Sequence, residues 1–235
     1  ANHYAENDAL LVEKLRNAGA IILGKANLTE WANFMTEGMP NGYSSHGGQV
    51  LNPYGPGEFD TGGSSAGTGA GVAANLAVAG IGTETSGSIL SPASQNSLVG
   101  IKPTVGLISR SGIIPISHSQ DTAGPMARTV KDAVYLLDAM KGIDADDPIT
   151  YTSNTLQSNK FIDFLNKDGL KGKKIGIARE VYLEDLSNDK LTIMNKAIDQ
   201  LSALGAETVD ITIPTTKHTW NINVLIYEFK AALNS

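Results

Sequence analysis

The chain of 235 residues contains no cysteine. That excludes disulfides, a thiol nucleophile and thiolate-held metals, while leaving the redox compartment open. Aromatic residues are scarce at 6%, and basic residues are outnumbered, 18 Lys and Arg against 24 Asp and Glu. A net charge of −6 argues against a nucleic-acid groove, which needs clustered Lys and Arg, so no direct nucleic-acid partner is expected. No uninterrupted apolar run approaches the ~20 residues of a membrane span. The start shows no basic stretch followed by an apolar core, so no signal peptide is expected and the anticipated location is the cytoplasm. A Walker loop is also missing, because no lysine follows Gly67, Gly69 or Gly71. Nor is there a dinucleotide fingerprint, since Gly67-Thr-Gly69 has no glycine at 72 and no strand before it. Phosphate binding therefore loses.

Glycine, by contrast, is plentiful at 25 residues, concentrated between 38 and 112. Two glycine- and serine-rich stretches stand out, Asp60-Thr-Gly-Gly-Ser-Ser-Ala-Gly-Thr-Gly69 and Gly82-Thr-Glu-Thr-Ser-Gly-Ser-Ile89. Around them the periodicity predicts an α/β fold, a mixed sheet core with helices on both faces. Asn7 or Asp8 is expected to cap a helix through Leu10, Leu11 and Leu15 that ends before Gly19. Ala20–Leu23 reads as a short buried strand and Leu28–Phe34 as a helix. Residues 35–63, rich in Gly and Pro, read as a long loop, either ordered or disordered. A small-residue helix from Ser64 to Leu76 leads to a strand at Ala77–Ile81, and a further strand is expected at Leu98–Ile101. The sequence from there to Pro125 reads as turns. Thr129 should cap a helix over Val130–Met140. A βαβ unit follows, with strands at Lys174–Ala178 and Thr208–Ile213 around a helix from Asp189 to Leu204. One domain over 1–235 is expected, with 141–172 as an irregular crossover. The start at Ala1 and the end inside the helical pattern Val224–Leu233 suggest a truncated domain.

A hydroxyl attacks an amide only when a base takes its proton and N–H donors hold the developing oxyanion. Glycines admit a substrate close to the backbone, and a turn opening into a helix presents unpaired N–H groups. Gly63-Ser64-Ser65-Ala66-Gly67 matches G-x-S-x-G, but that motif needs a strand before it, and Tyr54–Thr61 cannot form one. A Ser-His-Asp triad would need a downstream histidine, and only His118 and His218 remain, each in surroundings that suit a surface residue. Serine can instead be activated by a desolvated lysine held neutral, with a second serine relaying the proton. The two turns together suit such a relay.

These residues resemble the amidase signature family. Gly62-Gly-Ser-Ser-Ala-Gly67 is similar to its G-G-S-S-G-G turn, and Gly82-Thr-Glu-Thr-Ser-Gly-Ser-Ile89 to G-T-D-x-G-G-S-I, at the family's spacing between Ser64 and Ser88. Further matches are Gly24-Lys-Ala-Asn-Leu-Thr-Glu30, Asn52-Pro53, Val99-Gly-Ile-Lys-Pro-Thr104 and Asp121-Thr-Ala-Gly-Pro-Met-Ala-Arg128. The wording of Trp31-Ala-Asn-Phe34 and Ser109–Ser117 is similar to that of peptide-amidase-like members.

The resemblance implies a hydrolase that cleaves linear carboxamides through an acyl-enzyme. Ser88 matches the nucleophile and Ser64 the bridging serine, which follows a cis peptide bond, here after Gly63. The backbone N–H groups of Thr85, Ser86, Gly87 and Ser88 match the oxyanion hole, and Ser65 a supporting serine. Lys25 matches a structural segment, and Asn33 is a candidate substrate contact. The family's base is a lysine upstream of Ala1, so the chain by itself is expected to be inactive. Leu90 stands where many relatives carry arginine, which weakens the case for the A component of a glutamine amidotransferase; Ser86 in place of glycine is a milder departure. The implied substrate is a small-molecule or peptide amide, and no metal or organic cofactor is needed. A homodimer is compatible with the sequence. The readings from other classes are that amidotransferase component and a non-catalytic fragment that binds amides or a partner.

Overall fold

The computed structural model describes residues 5–217 and 223–234. The chain divides into two units, one formed by Ala1–Ile162 with Val224–Ser235 and the other by Asp163–Asn223.

In the first unit, helix α1 (Leu10–Asn17) buries Leu11 and Leu15, one turn apart on one face. Gly19, at φ +88°, lies just past its end. The expected cap at Asn7 or Asp8 is not made. Ala9 holds the cap position without a side-chain bond, because the Asp8 carboxylate pairs instead with Arg16 Nε at 2.6 Å. Ala20–Leu23 is also not a buried strand: it belongs to no helix or strand, with Ile21 84% and Leu23 74% exposed. Apolar composition favours a strand, but a ladder needs a neighbour, and no described residue pairs with this segment. The helix expected at Leu28–Phe34 shrinks to a 3-10 turn at Glu30–Asn33, with Trp31, Ala32 and Asn33 in the left-handed region. The loop at 35–63 is ordered and contains an antiparallel hairpin of β1 (Tyr43–Ser44) and β2 (Gly48–Gln49).

The centre is α2 (Ala66–Ala73), β3 (Ala79–Glu84), α3 (Leu90–Gln95), β4 (Val99–Gly100), β5 (Thr122–Ala127) and α4 (Val130–Met140). The three strands form an antiparallel sheet in the order β3-β5-β4. Its middle strand begins inside the region expected to be turns, which ends at Pro125, and runs two residues past it. Pro125, which has no N–H to donate, argued against a central strand. It is accommodated opposite Ile81, and its carbonyl still accepts from Ile101 N–H at 3.0 Å. Side chains alternate across the sheet. Ile81 and Ala123 face a core of Leu11, Leu15, Leu107, Ile108, Leu137 and Met140, while Met126 faces Ile89 and Ala93. Helices thus cover both faces, as the period-two pattern requires. Thr129 caps α4 as expected, Oγ1 accepting from Asp132 N–H at 3.1 Å. Helix α5 (Asn154–Gln157) follows.

A buried ion pair pins the loop after residue 109. Arg110 donates to both Asp147 oxygens, at 3.0 Å from Nε and 2.5 Å from Nη2, and also to the His118 carbonyl. Burial alone would raise the Asp147 carboxyl, but the Arg110 guanidinium and N–H overcome that, and it is held below the usual carboxylate range. The stabilisation is therefore present above about pH 4, the unfolded carboxylate pKa, and is lost as pH falls through the lower folded value. Asp147→Asn leaves the Arg110 charge uncompensated and is expected to cost about 3 kcal/mol at pH 7. It also removes this part of the acid sensitivity, as urea midpoints of parent and variant at pH 7 and pH 3 would show.

The second unit holds β6 (Lys174–Ile177), α6 (Arg179–Tyr182), α7 (Asn188–Ala203) and β7 (Glu207–Asp210). β6 and β7 pair in parallel across the intervening helices, the βαβ arrangement expected from sequence. Arg179 Nε bonds Asp210 Oδ1 at 2.8 Å at the carboxyl ends of the two strands. Helix α8 (Val224–Leu233) returns to the first unit, with the bounds that its periodicity predicts. Among the described residues no helix is long and apolar enough to cross a membrane.

Candidate active site

The first serine turn is built against the segment before the 3-10 turn. Thr29 N–H donates to the Ser64 carbonyl at 2.9 Å, and Gly67 N–H donates to the Asn27 carbonyl at 2.9 Å. A Cβ on Gly67 would stand 2.4 Å from that carbonyl oxygen, so only glycine permits the approach. The Gly63–Ser64 peptide is cis. Asp60 fastens the entry to the turn, accepting from Gly62 N–H at 2.7 Å and from Asn41 Nδ2 at 3.0 Å. The Ser64 side chain is fully buried, and its hydroxyl has no hydrogen-bond partner among the described residues. A buried hydroxyl without a partner costs about 1–3 kcal/mol, which makes the atom a candidate for a role beyond packing.

Ser65 joins this turn to the strand beside it. Its Oγ donates to the Thr83 carbonyl at 3.1 Å and accepts from Thr83 N–H at 3.0 Å, occupying the place of a ladder partner at the end of β3. Its N–H donates to the Ser88 carbonyl at 3.2 Å, so the two serine turns touch through the backbone.

The second turn runs from the end of β3 into α3. Glu84, buried at the last position of the strand, folds its carboxylate back over the turn. Oε1 accepts from Gly87 N–H at 2.8 Å, and Oε2 from Ile89 and Leu90 N–H at 2.8 and 3.0 Å. This carboxylate satisfies orphan donors at the helix start and fixes Gly87 at φ +90°. The expected donor set loses one member by this arrangement, because Gly87 N–H is committed to Glu84. The N–H groups of Thr85, Ser86 and Ser88 have no partner among the described residues. Thr85 Oγ1 donates to Asp121 Oδ1 at 2.5 Å, and Asp121 Oδ2 accepts from Ile116 and Ser117 N–H, both at 2.8 Å. Ser88 is 8% exposed, at the junction of turn and helix.

The other candidates lie further out. Asn33 is exposed, its Nδ2 3.5 Å from Asn41 Oδ1. Lys25 is exposed, on the segment before Asn27. His118 is exposed, and its carbonyl serves Arg110, as befits a surface histidine. His218 lies outside the described residues. Sequence reasoning missed Glu84, Asp121 and Thr29, although all three stand inside the quoted motifs. The usable signal was an acid three residues past the expected strand Ala77–Ile81 and three residues before a glycine.

Two glycine turns joined through their backbones, each with a buried serine, and N–H groups without a partner among the described residues beside one of them make up the candidate site, and the motifs around it are those of the amidases. The chain belongs to that family: the Amidase family model matches residues 1–235. A probable amidase of Arabidopsis thaliana is 44% identical over 229 residues, covering 97% of this chain and 44% of its own length. The peptide amidase of Stenotrophomonas maltophilia superposes with a TM-score of 0.86 at 45% identity, covering 97% of this chain and 46% of the other. The A component of the glutamyl-tRNA(Gln) amidotransferase of Neisseria meningitidis is 42% identical over 216 residues, or 92% of this chain and 43% of that one. The chain thus spans a little under half the length of these relatives.

Proposed function

We propose that this chain carries the nucleophile and oxyanion half of an amidase that hydrolyses linear carboxamides through a serine acyl-enzyme. The observation that carries the reading is the pairing of the two turns by Ser65 N–H and the Ser88 carbonyl, with the Ser64 hydroxyl buried and unpartnered beside them. A hydroxyl held in that way suits a relay whose next member is a neutral lysine outside this chain. Ser88 Oγ attacks the carbonyl carbon, its proton passing to Ser64 Oγ as the Ser64 proton moves to the lysine. The carbonyl electron pair moves onto oxygen, where the N–H groups of Thr85, Ser86 and Ser88 stabilise it. Collapse expels the amine or ammonia, protonated by the same relay. Water then cleaves the ester and restores the Ser88 hydroxyl with release of the carboxylic acid.

Ser65 supports the site by tying α2 to β3, and Asn33 is the proposed contact to substrate. The likeness to a peptide amidase supports a peptide or small-molecule amide as substrate. The likeness to an amidotransferase component supports, more weakly in view of Leu90, release of glutamine-derived ammonia inside a complex. That reading expects stable co-purification with partner proteins.

The test is covalent labelling of the full-length polypeptide with a fluorophosphonate. The expected result is one adduct, located by peptide mass spectrometry on Ser88. An adduct on another serine overturns the assignment of Ser88, and no adduct overturns the enzyme reading in favour of a protein that only binds.

A further inference from the structure

Helix α8 touches two segments, 31–34 and 117–119, whose neighbouring residues are hydrogen-bonded to the two serine turns. On one side Phe229 packs edge-on against Phe34, with centroids 4.8 Å apart, and against Trp31 at 6.4 Å. Those rings follow Thr29, whose N–H holds the Ser64 carbonyl. On the other side Glu228 Oε2 accepts from the Ser117 hydroxyl, from Ser119 N–H at 3.1 Å and from Ser119 Oγ at 3.0 Å. Ser117 is fully buried, and its N–H donates to Asp121, which in turn holds Thr85. The Asp121 N–H closes the loop on the Ser117 carbonyl at 2.9 Å. A continuous line of hydrogen bonds therefore runs from Glu228 through Ser117 and Asp121 to the first residue of the oxyanion turn.

We propose that Glu228 is a positioning residue for that turn, acting through Ser117 and Asp121 on Thr85. The proposal rests on the reading of residues 85–88 as the oxyanion turn. The compact loop 116–121 has one carboxylate inside it, Asp121, and one outside, Glu228. Asp121 is shared, with Oδ2 on the loop and Oδ1 on Thr85, so a shift of the loop is passed directly to the turn. Removing Glu228 takes the acceptor from the Ser119 N–H and leaves the buried Ser117 hydroxyl with only the 3.4 Å contact to Ser119 Oγ, and the loop must rearrange to satisfy them. Oxyanion donors act by preorganisation, and a displacement of about 1 Å is worth roughly 10²-fold in rate.

Amide hydrogen exchange on parent, Glu228→Ala and Phe229→Ala decides the question without reference to activity; alanine is chosen because glutamine would keep one acceptor oxygen for the three donors that all meet Oε2. In Glu228→Ala, exchange over both 116–121 and 85–88 is expected to quicken by roughly 2–10-fold, the equivalent of one hydrogen bond. Phe229→Ala, which loosens the ring packing and keeps the carboxylate, is expected to leave 85–88 unchanged. Faster exchange confined to 116–121, or the same change at 85–88 in both variants, overturns the proposal. In the full-length enzyme Glu228→Ala should lower kcat by about 10–100-fold with KM within about twofold. An unchanged kcat in an enzyme whose turnover depends on Ser88 also overturns it. A parent without Ser88-dependent turnover overturns the amidase reading instead, and the exchange result still decides the role of Glu228.

Discussion

Ser88→Ala in the full-length polypeptide is expected to lower amide turnover by roughly 10⁴–10⁶-fold while leaving the fold intact. The two halves of that expectation come from different features of the site. Ser88 Oγ has no hydrogen-bond partner among the described residues, and the bonds that hold its turn are made by main-chain atoms, by Glu84 and by Asp121 through Thr85. Deleting the hydroxyl therefore breaks no contact, and stability should change by less than about 1 kcal/mol. Its chemistry has no substitute: without Oγ no acyl-enzyme forms, and only substrate positioning and the oxyanion donors remain. Product release under single-turnover conditions, together with a thermal midpoint, checks both parts. Residual turnover above about 1% of the parent would sink the nucleophile assignment. A collapse of the thermal midpoint would show that Ser88 is a structural residue.

How much of this was legible depends on the range over which each feature is determined. The cap at Thr129 and the bounds of α8 were readable because a helix announces itself by local periodicity and by a single side-chain bond. The βαβ unit was readable for the same reason. Strand β5 was not, because its six buried residues include Gly124 and Pro125, which locally favour turns. It is the central strand only because β3 and β4 enclose it, a fact of tertiary structure. Ala20–Leu23 failed in the opposite direction, having strand composition and no ladder. The two serine turns stand out by glycine and serine content, yet that content could not say which N–H groups are free. Gly87 belongs to the donor set expected from sequence, but the Glu84 carboxylate, three residues away, takes its N–H. Glu228 was beyond reach altogether, since its partners Ser117 and Ser119 lie more than a hundred positions earlier.

Glu84→Gln is the second change expected to disable the site, and it does so without touching the nucleophile. The carboxylate accepts three main-chain N–H bonds, one through Oε1 and two through Oε2. Glutamine has one acceptor oxygen and an NH₂ group. If the oxygen stays with Ile89 and Leu90, the NH₂ faces Gly87 N–H, donor against donor, and the turn loses the bond that fixes its left-handed glycine. If the oxygen turns to Gly87, two N–H groups lose their acceptor, and Ile89 is fully buried. The first outcome costs about 1–3 kcal/mol and the second about 2–6 kcal/mol, at ~1–3 kcal/mol for each unpaired buried donor. The free donors of Thr85, Ser86 and Ser88 sit on the same short turn, so its displacement misaims them together. A loss of roughly 10²–10³-fold in kcat follows, the size seen when a single oxyanion donor is removed. Glu84→Asp separates charge from reach: it keeps the carboxylate but shortens it by one methylene, and should lose less than the amide. Measuring kcat and thermal midpoint for both variants tests the account. A Gln variant that keeps kcat within about threefold of the parent would mean that the turn holds its shape without Glu84, and that its N–H groups are not what stabilises the oxyanion.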